Sequence, residues 1–347
     1  MRDLTAIAAA LVAPGQGILA ADESIATMSA RLAAAGIEPT ASSRLSYREM
    51  LVTTPALADG ISGIILCGET FGQRLDNGTP FPAAIRRAGM LTGIKVDAGT
   101  RPLAGCPGET VTEGLDGLPP RLRDFARRGA AFAKWRAVLR IGPGTPSAMA
   151  LRANAQALGR FAADCQHAGL VPIVEPEVLM DGSHSLAQCE AVTSLVLLEV
   201  TAALQDYGVA FEAMVLKPNM ALPGAESAEQ ASPDQVAEAT IASLASLPAT
   251  LGGVAFLSGG QRPEQATANL AALNSPALNS PALGTPPLLL WPLTFSFGRA
   301  LVAPALAAWP GTRAAQRAGQ RALARRVAMN VAALQGRYAS ELELDAA

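Results

Sequence analysis

Histidine is nearly missing from this chain. Of its 347 residues only His167 and His184 are histidine, too few for a metal centre built on imidazole nitrogen. Cysteine is scarce as well. Cys67, Cys106, Cys165 and Cys189 stand far apart with no CxxC pair, which excludes a zinc ribbon or a redox motif and reads as reduced thiols. No uninterrupted apolar run reaches the roughly 18 residues a membrane helix needs. The apolar stretch 4–13 follows Asp3, which spoils the basic flank of a secretory leader, so it is expected to be a first helix. Excess charge is also lacking: 27 Lys and Arg stand against 29 Asp and Glu, a net charge of -2. That balance gives no hold to nucleic acid or to an anionic membrane, and an anion must be bound by a local cluster instead.

What the chain has is apolar residues, half of the total, arranged in a rhythm. Short strand-like runs recur, each followed by a helical pattern. The runs are 17–21, 60–67, 91–97, 132–141, 170–178, 211–220 with its core at 213–216, 253–257 and 288–297. Helical patterns fill 148–167, 186–207 and 233–247. Eight strands alternating with helices predict a (β/α)₈ TIM barrel with a parallel inner sheet. The whole of 1–347 is expected to be a single domain with extra helices at both ends. An open doubly wound sheet is disfavoured because no GxGxxG turn follows the first strand.

Four segments fall outside the rhythm. Residues 99–120, rich in Gly and Pro, read as a long excursion after the third strand. Residues 273–283 duplicate LNSPA and read as a turn-rich surface loop. The basic stretch 313–337 predicts a helix with Leu323, Val327, Val331 and Leu334 on a buried face and its arginines in solvent. The acidic end, 338–347, is expected to be loosely ordered.

In a parallel barrel the reacting groups stand at the C-terminal ends of strands. Here those ends carry Asp22, Lys95, Asp97, Lys134, Arg136, Glu175, Glu177, Lys217, Ser258 and Arg299. Side chains alternate faces along a strand, so Lys95 and Asp97, Lys134 and Arg136, and Glu175 and Glu177 each share a face and are expected to enter one mouth. Building a core from so many inward charges would be costly without a function. Lys217, between Leu216 and Pro218, is the candidate nucleophile, since a lysine at the end of an apolar strand is favoured as the neutral amine. A second lysine nearby, Lys134, would lower its pKa by repulsion. Imine formation requires a general acid, for which Glu175 and Glu177 are candidates, one expected to be raised in pKa by the other. Asp22 could take a hydroxyl proton and drive carbon–carbon cleavage. Ser258, Gly259 and Gly260, with Gly298 and Arg299 at the start of a helix, suggest one anion site. Lys95 with Arg31, Ser24 and Thr27 suggests another. Two anion sites flanking an amine point to a sugar bisphosphate.

The segments GILAADES (17–24), PFPAAIRRAG (80–89), GIKVD (93–97), PLAGCPGETVTEGLDGL (102–118), FAKWRAVLRIG (132–142), IVEPEVL (173–179), LKPNM (216–220), FLSGGQ (256–261) and LTFSFGRAL (293–301) closely resemble the class I, Schiff-base fructose-1,6-bisphosphate aldolases. They run in the family's order. The resemblance implies a metal-free lyase with no cofactor beyond its own lysine, reversibly cleaving fructose 1,6-bisphosphate to dihydroxyacetone phosphate and glyceraldehyde 3-phosphate in glycolysis and gluconeogenesis. It implies a cytoplasmic homo-oligomer, tetramer or dimer. By the same resemblance Lys217 falls on the Schiff-base lysine and Glu175 and Glu177 on the acid–base pair. Asp22 and Lys134 fall on the groups serving the cleavage step, and Arg136 and Lys95 on active-site cations. Ser258, Gly260 and Arg299 match one phosphate site; Ser24 and Arg31 belong to the region of the other. Sedoheptulose 1,7-bisphosphate or fructose 1-phosphate is the alternative substrate, and a scaffold that has lost catalysis the remote one. Four departures stand out. Ala30 stands where animal members usually carry a lysine, Thr27 replaces a serine, and Phe297 replaces a tyrosine. The chain ends in LELDAA at Ala347, without the terminal tyrosine that assists proton transfer in animal members. A different proton path, or slower exchange at the enamine, is expected.

Overall fold

The computed structural model describes residues 3–275 and 290–344. Its centre is a closed parallel barrel of eight strands: β1 (Gly17–Ala21), β2 (Ile61–Leu66), β3 (Leu91–Lys95), β6 (Phe132–Leu139), β7 (Val171–Val178), β8 (Val215–Leu216), β9 (Val254–Phe256) and β10 (Leu293–Phe297). Each strand pairs with the next in that order, and β1 closes the ring on β10. The remaining pair, β4 (Thr100–Pro102) and β5 (Thr110–Thr112), forms an antiparallel hairpin inside the excursion after β3.

Helices clothe the ring. They are α2 (Ile25–Ala34), α3 (Ala41–Val52), α4 (Gly68–Gly72), α5 (Phe81–Arg87), α6 (Leu118–Arg127), α7 (Ala148–His167), α8 (Leu186–Asp206), α9 (Pro233–Leu244), α10 (Pro263–Leu273), α11 (Arg299–Ala308) and α12 (Gln316–Leu334). Several starts are written locally. Ser147, Ser185 and Ser232 cap α7, α8 and α9 with their side-chain oxygens, and the last two form full capping boxes with Gln188 and Gln235. Helix α8 is long and apolar enough to cross a membrane by length and composition. Instead it packs on β7 between α7 and α9.

The barrel interior is divided by height. Helix α1 (Leu4–Leu11) plugs the N-terminal end. Ala8, Leu11 and Val12 join Ile18, Phe132, Val171, Ile173, Val215 and Ala255 in one apolar cluster. Phe132 fits across this layer because Gly93 opposite it has no side chain: a Cβ there would stand 2.1 Å from the Phe132 ring. Two residues further along the same strands, and so on the same inward face, come Lys134, Glu175 and Lys217. The apolar floor thus ends where the charged mouth begins.

Three expectations need correction. The stretch 211–220 is strand only at Val215–Leu216; Phe211–Ala213 form a 3₁₀ turn. The Gln166 amide donates to the carbonyls of Ala210 and Ala213, which fixes that turn against α7. The arginines of 313–337 are not all solvated. Arg326 is buried, because its guanidinium pairs with Glu343 at 2.6 Å and donates to Thr267 and to the Pro263 carbonyl. For the same reason the end of the chain is not loose up to Leu344: Ser340–Glu343 form a 3₁₀ turn, and the Tyr338 hydroxyl donates to Glu343. Most of the LNSPA duplication and the first residues of the 288–297 run lie outside the described residues.

Removing the Glu343 carboxylate leaves a buried guanidinium short of its counter-charge. Glu343→Ala is expected to destabilise the fold by about 2 kcal/mol, read as a lower midpoint in thermal or denaturant unfolding. An unchanged midpoint would show that the chain end is not anchored through Arg326.

Candidate active site

A cavity of about 600 Å³ opens at the C-terminal ends of the barrel strands. The sequence-selected residues converge on it. Asp22, Ser24, Thr27, Arg31, Lys95, Lys134, Arg136, Glu175, Glu177, Lys217, Ser258, Gly259, Gly298 and Arg299 all line it. Gly260 is the exception and stands just behind. A Cβ on it would come within 3.3 Å of the Arg299 guanidinium and 3.1 Å of Met180 Sδ, so its bareness gives Arg299 room. Gly259 and Gly260 both have positive φ, +58° and +103°, a conformation that favours glycine. The tight turn after β9 depends on them.

The centre of the cavity is a line of alternating charge. Lys217 Nζ is 3.0 Å from Glu175 Oε1. Glu175 Oε2 is 2.9 Å from Lys134 Nζ, which in turn is 2.7 Å from Asp22 Oδ2. All four side chains are almost fully buried. Lys217 is the residue after β8, and its backbone N–H donates to the Val174 carbonyl of β7, which aims the side chain at Glu175.

Burial opposes the charged forms of Asp22, Lys134 and Glu175, but the partners decide the outcome. Burial raises the Asp22 carboxyl, yet the ammonium groups of Lys134 and Lys217 outweigh it and hold Asp22 far below its ordinary 3.8. Burial lowers Lys134, but Asp22 and Glu175 together hold it far above its ordinary value. Glu175 is pushed up by burial and pulled down further by Lys134, Lys217 and Arg136, so it lies below its usual 4.5. Two expectations change here. Glu175 is not raised by Glu177, because two lysines flank it and Glu177 is occupied by an ion pair with Arg136. Nor do Lys134 and Lys217 face each other bare, because Glu175 stands between them and Asp22 takes the far side of Lys134.

Around this line lie further pairs. Arg136 Nε donates to Glu177. Lys95 is 2.5 Å from Asp97, which also accepts from the backbone of Gly99 and of Arg136. Arg31 is 2.5 Å from Glu23. Ser24 caps α2, its hydroxyl accepting from the Thr27 N–H and lying 3.0 Å from the Thr27 hydroxyl. Both hydroxyls therefore stand at a helix N-terminus opening on the cavity. Arg299 begins α11, and among the described residues it has no ion pair.

Sequence reasoning missed Glu23, Ser296 and Arg48. Glu23 lies within GILAADES, between two selected residues, and was passed over. Ser296 is inward on β10, lines the cavity, and its buried hydroxyl has no protein partner. Arg48, on α3 and outside the cavity lining, pairs with Glu23 at 2.5 Å, and nothing in its local sequence marks it. Among the described residues no group of three or more His, Cys, Asp or Glu is arranged to hold a metal ion.

The chain matches, over residues 3–347, the family model of fructose-bisphosphate aldolase class-I. A probable fructose-bisphosphate aldolase class 1 of Xylella fastidiosa is 49% identical over 310 residues, 89% of this chain and 90% of the relative. Fructose-bisphosphate aldolase B of Gallus gallus is 46% identical, over 99% of this chain and 93% of its own. Among solved structures, fructose-bisphosphate aldolase from Plasmodium falciparum, crystallised with TRAP and a small-molecule inhibitor, superposes with a TM-score of 0.92 at 40% identity, covering 97% of this chain and 95% of that one.

The pKa directions give a testable sign. A carboxylate held low in the folded state contributes stability that is present above its unfolded value and is lost as pH falls toward the folded one. For Asp22 that loss begins below its ordinary 3.8. The stability advantage of the wild type over Asp22→Asn is expected to be full above about pH 5 and to shrink steadily below about pH 4, measured by denaturant unfolding at each pH. An advantage that grows on acidification would contradict the ion-pair account.

Proposed function

The chain belongs to the class I fructose-bisphosphate aldolases, and from that premise we propose that Lys217 is the amine that forms the imine with the substrate ketone. The observation that carries this reading is the single buried line Lys217–Glu175–Lys134–Asp22 at the barrel mouth. The reaction is the reversible cleavage of fructose 1,6-bisphosphate to dihydroxyacetone phosphate and glyceraldehyde 3-phosphate.

The geometry supports a role for each group. The Lys217 ammonium gives a proton to Glu175, 3.0 Å away, and the free amine attacks the C2 carbonyl. Glu175, now protonated, is placed to return that proton to the carbinolamine hydroxyl as it leaves as water. The acid is therefore made during the reaction, which fits a Glu175 that rests ionised. Asp22, held ionised by Lys134, accepts the C4 hydroxyl proton, and the C3–C4 electron pair moves into the iminium to leave an enamine. Protonation of the enamine at C3 and hydrolysis of the imine complete the cycle. Glu177, oriented by Arg136, and the Ser258–Gly260 turn with Gly298 and Arg299 hold the substrate end nearest the imine. Lys95, Arg31, Ser24 and Thr27 receive the other phosphate. The lysine itself supplies the electron sink, so no metal or further cofactor enters this scheme.

We read the whole chain as one catalytic domain, since the mouth draws residues from β1 through α11. Dimers or tetramers fit the exposed Leu195 and Leu198 on α8. A cytoplasmic location fits a soluble sugar phosphate as substrate, and one relative is the cytosolic fructose-bisphosphate aldolase 6 of Arabidopsis thaliana.

Replacing Lys217 by Met tests the reading. Cleavage of fructose 1,6-bisphosphate is expected to fall by at least about 10⁴-fold while the sugar still binds, and wild-type cleavage is expected to be indifferent to EDTA. Near-normal turnover by Lys217→Met, or wild-type loss of activity in EDTA, would refute it.

A further inference from the structure

The cations of the cavity are not electrostatically equal. Six cations line it: Arg31, Lys95, Lys134, Arg136, Lys217 and Arg299. Five are ion-paired with a carboxylate, and Arg299 alone has no ion pair among the described residues. An arriving phosphate meets an uncompensated guanidinium at Arg299. Arg31, which shares a second cavity with Arg299, is held by Glu23, and Lys95 is held by Asp97.

Glu23 cannot readily step aside. Arg48, only 2% exposed at its side chain, holds Glu23 twice: Nη1 lies 2.5 Å from Oε2, and Nη2 donates to the Glu23 carbonyl at 3.2 Å. Moving the Glu23 side chain would strip a buried guanidinium of its counter-charge. Arg31 is the movable partner, with a side chain 27% exposed on the last turn of α2. It is also the only basic residue on that helix, since Ala30 precedes it. A phosphate drawn to Arg31 therefore competes with a fixed carboxylate for it.

We propose that Glu23 is a specificity-determining residue. By holding Arg31 it weakens the distal phosphate contact, so that bisphosphate and monophosphate ketoses are separated less sharply than two full anion sites would allow. The proposal rests on the aldolase reading of this cavity and adds to it the residue that sets the contribution of the second phosphate. Glu23 touches Arg31 rather than the reacting atoms, so its effect belongs in KM for the bisphosphate and not in kcat.

The test is kcat/KM for fructose 1,6-bisphosphate and fructose 1-phosphate in the wild type, Glu23→Gln, Arg31→Ala and the double variant. Glutamine keeps the size of the side chain and removes its charge. Glu23→Gln is expected to raise the bisphosphate-to-monophosphate ratio by about threefold or more, through a lower KM for the bisphosphate. Arg31→Ala is expected to reduce that ratio more in the Glu23→Gln background than in the wild type. A ratio unchanged or lowered by Glu23→Gln overturns the proposal. If that variant does not fold because Arg48 has lost its partner, Arg31→Ala alone decides. A fall in the ratio below about tenfold agrees with a contact already weakened, and a larger fall contradicts it. Failure of the wild type to cleave either sugar would instead overturn the aldolase reading, a different outcome from a failed ratio.

Discussion

The structure turns on one buried interaction, the carboxylate of Glu175 placed between the ammonium groups of Lys217 and Lys134. Three charges at about 3 Å spacing in a protein interior are tolerable only when they alternate in sign and are held rigidly. The barrel supplies that rigidity. Lys134 and Glu175 stand on adjacent strands, and Lys217 follows the next one. The apolar floor of α1, Phe132 and Ile173 fixes the height at which the charges begin. Without Glu175 the two ammonium groups would repel across the same space, and without Lys134 neither Asp22 nor Glu175 would be held so far toward the ionised form.

This arrangement holds both Asp22 and Glu175 toward the ionised form in the resting site. The charge line is neutral enough to be buried, and it becomes reactive by moving one proton from Lys217 to Glu175. The same economy leaves most cavity cations paired before substrate arrives. Arg299 is the exception, and the missing side chain of Gly260 keeps the space around it clear.

Much of this was legible in the chain. The recurrence of strand-like apolar runs, each followed by a helical pattern, locates the eight barrel strands, and strand-end charges pick out the cavity lining from Asp22 to Arg299. The resemblance to aldolases rests on motifs at those same ends. What could not be read was pairing. Glu175 looked like a partner of Glu177 because they share a strand face, whereas the groups that tune it come from neighbouring strands. Arg326 read as a solvent-facing helix arginine, and nothing in the sequence singled out Arg48. Each is buried by a carboxylate distant in sequence or at the chain end, a contact no local pattern encodes. The strand leading to Lys217 was overextended because its apolar residues suit a strand, while the Gln166 amide holds the first of them in a turn.

The most direct test of the central claim is borohydride reduction in the presence of dihydroxyacetone phosphate and EDTA, followed by peptide mapping. The account predicts one reduced adduct, on Lys217, formed at the same rate with and without the chelator. An adduct on Lys134 instead, or no adduct together with activity that EDTA abolishes, would contradict it.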